Sequence, residues 1–309
     1  MAGEAVRCAD AADARLEPLY GTASFVRSWL LIEQPGSWGS DALTQSKMPQ
    51  RAALELRRRA RSAGVRIVLI RRGVRFSSDR RRCYFLRTDE LDPYRSHLEV
   101  DRVDDLLDVD LTPLGQGGPI PEAMERPDPV FLVCTHGRHD ACCSIRGNQV
   151  SRVACAVPGM DAWESSHIGG DRFAANLVCF PHGVYYGRVS PGDVVALMEG
   201  YAGGKLSLDH YRGRCCYRFA VQAAEYFARR ETGTVAVEAV RLTEVSVASE
   251  RLAAAFSLAG GSRVAVEIRV TRSGEYRLTC DATRRHPVPR YDLISCTVDS
   301  EPRETGGGT

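Results

Sequence analysis

Residues 130 to 230 read in the order strand, helix, strand, hairpin, helix, and no other feature of the chain limits its fold so narrowly. VFLVC (130–134) is a short continuous apolar run, the pattern of a buried strand. A helix follows over about 143 to 156 and ends before Pro158, which cannot continue it. DAWESS (161–166) is a second strand, and NLVCF and VYYGRV flank PHG, a three-residue hairpin signal. In SPGDVVALMEGYAGG, Ser190 is the expected N-cap, with Pro191 at the first position, Asp193 in the first turn and Gly203 near the stop. A last helix is expected from about Cys216 to Arg230, with Val221, Ala224 and Phe227 or Ala228 facing inward.

That order is the order of a thioredoxin-like α/β domain, although periodicity by itself admits other α/β folds. The preceding stretch follows a similar plan. SWLLIEQ (28–34) is a strand, Pro49 to Ala63 a helix with Ala53, Leu56 and Ala60 on one face and Gly64 as C-cap, and VRIVLI (65–70) and CYFLRT (83–88) two further strands. GQGGPIPEAMERPDP (115–129) reads as a linker. Beyond Thr232 the texture changes to alternating strands, TVAVEAVRLTEVSVAS, RVAVEIRV and EYRLTC, separated by LAGGS and RSG. The expected fold is therefore α/β: two thioredoxin-like units in tandem with a small β-rich C-terminal appendix. The boundaries are a tail at 1–20, units at 21–125 and 126–232, the appendix at 233–300 and a tail at 301–309.

The composition narrows the chemistry. A chain of 309 residues with 44% hydrophobic and 26% charged residues has the make-up of a globular protein. Its net charge of +2 gives no general reason to expect a nucleic-acid or membrane partner. No apolar run approaches the roughly 18 residues that cross a bilayer, and the first residues lack the apolar core of a signal peptide. A cytoplasmic, reducing location is expected, and there eleven cysteines point toward metal or redox duty rather than a disulfide framework. Cys83 and Cys179 lie in strand-like runs and read as core. Cys8, Cys155, Cys280 and Cys296 carry no spacing signal, which leaves Cys134, Cys142, Cys143 and the pair Cys215–Cys216 to explain.

Residues 57–82 hold eleven arginines against one aspartate, either a docking face for an acidic or phosphate-bearing partner or a solvated face balanced by nearby acids. Phe76 is the single aromatic there, short of the interleaving that stacking on nucleic-acid bases would require.

VCTHGRHDACC (133–143) crowds three cysteines and two histidines into one loop. The Cys-x-x-Cys spacing of a thiol redox pair is absent, and a disulfide between neighbouring residues is strained. Metal binding needs only convergence: Cys134 closes a strand, the later cysteines open a helix, and a helix N-terminus stabilises thiolate charge. HIGGD (167–171) would complete such a site, with Gly169 and Gly170 letting the backbone fold tightly. The plain alternative is a Gly-Gly turn with Asp171 capping the next helix.

CTHGRHDACC, SSHIGGDRFAANLVCFPHGVYYGRV and YRGRCCYRFAVQAAE, with SWLLIEQPGSWGSDAL upstream, together resemble the sucrase/ferredoxin-like family over about residues 25 to 232. The resemblance implies an electron-transfer protein with a two-iron, two-sulfur (2Fe-2S) cluster in the second unit, the first being a degenerate copy used for packing or docking. By position the ligands would be Cys134, Cys143, His167 and Asp171, with Cys142 an extra cysteine and Cys215 and Cys216 packing residues. Asp171 stands where the family pattern has a second histidine. It binds iron through oxygen, or Cys142, His136 or His139 fills the place, or Asp171 only supports the other ligands. A redox partner protein is implied, with the 57–82 face as its candidate contact. The competing readings are a structural zinc site and a thiol oxidoreductase using Cys134 with Cys142 or Cys143.

Overall fold

The protein is described from a computed structural model over residues 6–72, 80–125 and 128–299. Helix α1 (Cys8–Ala14) buries Cys8, Ala9 and Ala12 and packs on a short 3-10 turn at Asp171–Phe173. The first twenty residues, expected as a loose tail, are thus docked from residue 8 onward. A seven-residue helix is too short to hold itself together in water, so its local sequence carried little signal and tertiary contacts maintain it. The tail expected at 301–309 lies outside the described residues.

The first half of the chain forms β1 (Ser28–Glu33), α2 (Gln50–Ala63), β2 (Val65–Arg71), β3 (Arg81–Arg87), β4 (Tyr94–Val100), α3 (Thr112–Gln116) and β5 (Met124–Glu125). β1 is buried from end to end, as its unbroken apolar run demands of a strand covered on both faces. α2 presents Ala52, Ala53, Leu56 and Ala60 to the sheet and stops at Gly64, whose φ of 70° suits a residue without a Cβ. The second half forms β6 (Val130–Cys134), α4 (Ala141–Ala154), β7 (Asp161–Ser165), β8 (Leu177–Phe180), β9 (Val184–Tyr186), α5 (Val194–Ala202), β10 (Tyr211–Arg214) and α6 (Phe219–Thr232). α5 begins after, not at, the expected cap. Ser190 instead closes a turn in which its N–H donates to the Asp193 carboxylate at 3.0 Å and its Oγ accepts from Gly192 N–H at 3.2 Å.

Both halves share one strand plan. β1 runs parallel to β2 and antiparallel to β3, which pairs antiparallel with β4; β6 runs parallel to β7 and antiparallel to β8, which pairs antiparallel with β9. The halves are not separate sheets. β2 and β7 pair antiparallel through Ile70–Ser165 and Arg71–Glu164, which fuses them into a ten-stranded sheet ordered β10-β9-β8-β6-β7-β2-β1-β3-β4-β5. The stretch expected as a linker contributes β5 to that sheet and buries Ile120, so it is packed rather than free.

The C-terminal strands β11 (Val240–Ala248), β12 (Arg251–Leu258), β13 (Arg263–Tyr276) and β14 (His286–Asp299) make an antiparallel four-stranded sheet. Its apolar face, Leu252, Ala254, Phe256, Val264, Val266 and Ile268, closes over Ala224, Phe227 and Ala228 of α6. Among the described residues no helix is long and apolar enough to cross a membrane.

Candidate metal centre

Because β6 and β7 are parallel, their carboxyl ends arrive at one edge of the sheet, with Cys134 paired to Ser165. Ligand sites in open α/β sheets favour this edge, since loops and helix N-termini meet there. The loop after β6 carries His136 and His139 and leads into α4, whose N-cap Asp140 accepts the Cys142 N–H at 2.8 Å. The loop after β7 carries His167, Gly169, Gly170 and Asp171.

Of the four expected ligands, Cys143, His167 and Asp171 are in direct contact. Cys143 Sγ lies 3.2 Å from Asp171 Oδ1, and His167 Nδ1 lies 3.0 Å from the same oxygen. Cys134 lies in the same buried core cluster as Cys143, with its Sγ 3.8 Å from Ser166 O. Cys134 and Cys143 are each 1% exposed and Asp171 3%. The Cys143 S–H steadies a Cys134 thiolate, which draws the Cys134 pKa below its ordinary value and drives that of Cys143 well above it. Burial opposes ionisation of Asp171, yet the neighbouring His167 ring holds the carboxyl below its usual range. Although His167 Nδ1 is at ion-pair distance from Asp171, it is buried and has no well-aligned hydrogen-bond partner among the described residues. An imidazole nitrogen in that condition beside two thiols and a carboxylate is a donor set suited to a thiophilic metal group.

The rival fourth ligands separate by position. Both nitrogens of His136 are engaged: Nε2 donates to Gly39 O at 2.7 Å, and Nδ1 accepts the His167 N–H at 3.2 Å. His136 therefore positions the His167 backbone. Cys142 turns away from Asp171 to meet Cys8 and Cys280. His139 stays close, its ring 3.7 Å from the His167 ring and its Nε2 3.7 Å from Asp171 Oδ2. Burial pushes the pKa values of His136 and His139 down, so both favour the neutral form. Cys215 and Cys216 lie outside this group in buried packing positions, where burial raises both thiols.

The two glycines fold tightly around a side chain that sequence reasoning passed over. Gly169 and Gly170 have φ of 103° and 84°, and a Cβ on Gly170 would stand 2.2 Å from Arg212 Nη2. Arg212 is fully buried. It donates to Gly169 O (3.1 Å), Asn176 Oδ1 (2.7 Å), Thr22 O (2.6 Å) and Thr22 Oγ1 (3.0 Å), and burial lowers its pKa to about 10. No periodicity marks an arginine in a four-residue strand as the support of a turn forty residues earlier. The first half contributes too. A cavity of about 560 Å³ opens beside His136, His139 and His167, and its other wall is Ser40–Leu43, Arg57, Ala60 and Arg61.

The arginines expected as a docking face are largely paired. Arg57 meets Asp41, Arg58 and Arg59 meet Glu55, Arg71 meets Glu164, Arg72 meets Asp161, and Arg82 meets Glu99. Residues 73–79 of that segment lie outside the described residues.

A family model described as sucrase/ferredoxin-like matches residues 19–213. Altered inheritance of mitochondria protein 32 from Meyerozyma guilliermondii is 32% identical over 103 residues, 30% of this chain and 36% of that protein. The chain thus spans about a third of that relative's length. Among solved structures, a thioredoxin-like 2Fe-2S ferredoxin from Aquifex aeolicus is similar at 18% identity and TM-score 0.26, over 29% of this chain and 94% of that one. A cysteine-to-serine variant of that ferredoxin matches at 19% identity and TM-score 0.25, over 28% and 99%.

Proposed function

The chain belongs to the sucrase/ferredoxin-like family, and from that premise we propose that it is an electron-transfer protein whose 2Fe-2S cluster is held by Cys134, Cys143, His167 and Asp171. The observation that carries the reading is that two buried thiols of one core cluster, a buried carboxylate in contact with one of them, and an imidazole nitrogen with no hydrogen-bond partner among the described residues meet where the loops after β6 and β7 and the first turn of α4 come together. The strand plan shared by the two halves supports reading each as a thioredoxin-like unit. The first has no cysteines matching this loop and instead walls the cavity and holds His136 through Gly39.

A bound cluster supplies one-electron chemistry. The chain's own residues set the conditions for it. Cys134 and Cys143 would give thiolates from buried positions. His136 fixes the His167 backbone, and Arg212 holds the Gly-Gly turn beneath Asp171. Two thiolates and one carboxylate on an oxidised core leave one net negative charge, between the neutral two-histidine case and the doubly negative four-cysteine case. The reduction potential is expected between those two types.

The place of Cys134 and Cys143 in one core cluster also favours a second reading, thiol–disulfide chemistry at this pair. Burial of both sulfurs stands against it, because an external thiol could not reach them. One experiment separates the readings. The protein is purified without oxygen, and its visible spectrum, iron and acid-labile sulfide are measured beside those of Asp171→Ala. About two irons and two sulfides per chain, with visible bands that shift or vanish in the variant, are expected. A colourless protein after anaerobic reconstitution would overturn the cluster, and a spectrum indifferent to the substitution would remove Asp171 from it.

A further inference from the structure

Cys142, set aside as an extra cysteine, meets two thiols that carried no spacing signal. Its Sγ lies 3.6 Å from Cys8 Sγ and 3.4 Å from Cys280 Sγ, and Cys280 and Cys8 are 3.7 Å apart, so the three sulfurs form a nearly regular triangle. They come from α1, the first turn of α4 and the connection between β13 and β14, segments more than 130 residues apart in sequence. Asp140 faces the same point, with its Oδ2 3.5 Å from Cys8 Sγ. Its two oxygens are aimed by backbone donors: Oδ1 accepts Cys142 N–H at 2.8 Å and Oδ2 accepts Cys280 N–H at 2.6 Å. Cys8, Cys142 and Asp140 are buried, while Cys280 is partly exposed and offers a route for entry.

The spacing is that of a single tetrahedral ion. Zinc–sulfur bonds of about 2.3 Å at tetrahedral angles put sulfurs roughly 3.8 Å apart, and a zinc-bound carboxylate oxygen falls roughly 3.6 Å from each sulfur. A disulfide would bring two sulfurs to about 2.05 Å and leave the third without a partner. A multinuclear cluster spreads its ligands over several irons, whereas three sulfurs in mutual contact face one centre.

We propose that Cys8, Cys142, Cys280 and Asp140 bind one zinc ion, a site separate from the candidate cluster ligands. Each cysteine gives up its proton on binding, and the N-terminus of α4 and the two backbone N–H groups on Asp140 offset the negative charge gathered there. The ion pins the N-terminal helix and the C-terminal sheet to α4. It also holds the helix turn that carries Cys143, the residue next to Cys142. Closing two such long loops is where a metal clip constrains the unfolded chain most.

The test uses the full chain, freed of metal under reducing conditions and titrated with cobalt(II), whose thiolate charge-transfer and tetrahedral visible bands report ligand type. The bands should appear in the parent protein and persist in Cys134→Ser/Cys143→Ser. They should disappear when Cys8→Ser/Cys280→Ser is added to that variant, whose candidate cluster thiols can no longer bind cobalt, and zinc analysis of the purified parent should give about one ion per chain. Loss of the bands in Cys134→Ser/Cys143→Ser, or their survival after Cys8→Ser/Cys280→Ser is added to it, would overturn the proposal, as would a Cys142–Cys280 disulfide in metal-free protein kept reduced. If the Cys8→Ser/Cys280→Ser chain does not fold, the parent and the single variant Cys280→Ser decide. No thiolate band in the parent, or an unchanged one in Cys280→Ser, overturns the site.

Discussion

His182 shows how a single side chain reports the packing around it. It sits in the three-residue hairpin between β8 and β9, with Nδ1 2.7 Å from Tyr201 Oη and Nε2 3.3 Å from Glu238. Burial, then the nearby Arg214 charge, lowers its pKa from 6.5 to about 4. Between those values the unfolded chain binds more protons here than the folded one. Stability from this residue is therefore complete above about pH 6.5 and is lost as the pH falls toward 4, by about 3 kcal/mol. Urea midpoints measured from pH 7 to pH 4 should fall less steeply in His182→Gln than in the parent. Parallel curves would show that this imidazole is not held neutral. The hairpin was legible from PHG between apolar runs, but the neutral state of the histidine was not, since Tyr201 and Glu238 reach it from other elements.

At the scale of an element, α4 ties the candidate site to the sheet. Gly147 lies inside this helix, where alanine would ordinarily be about 1 kcal/mol better. A Cβ there would stand 2.0 Å from the Cys134 carbonyl oxygen, so the absence of a side chain is what lets α4 approach the end of β6 and bring Cys143 to Cys134. Gly147→Ala should push the helix off the strand, lower stability by about 1–3 kcal/mol and reduce iron loading together with it. Thermal unfolding and iron analysis check this, and a rise in melting temperature would refute the close approach. The helix itself was expected over about 143 to 156, with Pro158 ending it. Its distance from the strand depended on a contact between residues thirteen apart that no local pattern encodes.

Across the whole molecule, α6 lies between the two sheets and carries a buried ion network. Glu225 is fully buried and meets Arg214 at 2.7 Å, Arg229 at 3.0 Å and the Tyr211 hydroxyl at 2.8 Å. Burial would raise its pKa, but the two guanidinium groups hold it below the usual carboxylate range. Arg229 also donates to the Ala236 and Val237 carbonyls, which joins α6 to the segment leading into the C-terminal sheet. Glu225→Gln leaves two buried cations without their anion and should cost about 3–5 kcal/mol, read from denaturant unfolding. A loss below about 1 kcal/mol would mean that water or the Glu90 carboxylate, 3.7 Å from Arg214, takes over the compensation.

Local pattern determined what local physics controls. Apolar runs became buried strands, Gly64 ended α2, PHG made its hairpin, and CTHGRHDACC with HIGGD marked the candidate site. Tertiary structure alone decided how far those pieces reach one another. The β2–β7 pairing fused two similar halves into one sheet, because an antiparallel edge contact depends on which strands are left unpaired and not on their own sequence. Cys8 and Cys280 had no legible role for the same reason. Thiols more than 130 residues from Cys142 acquire meaning only when the fold brings them within 3.7 Å of one another.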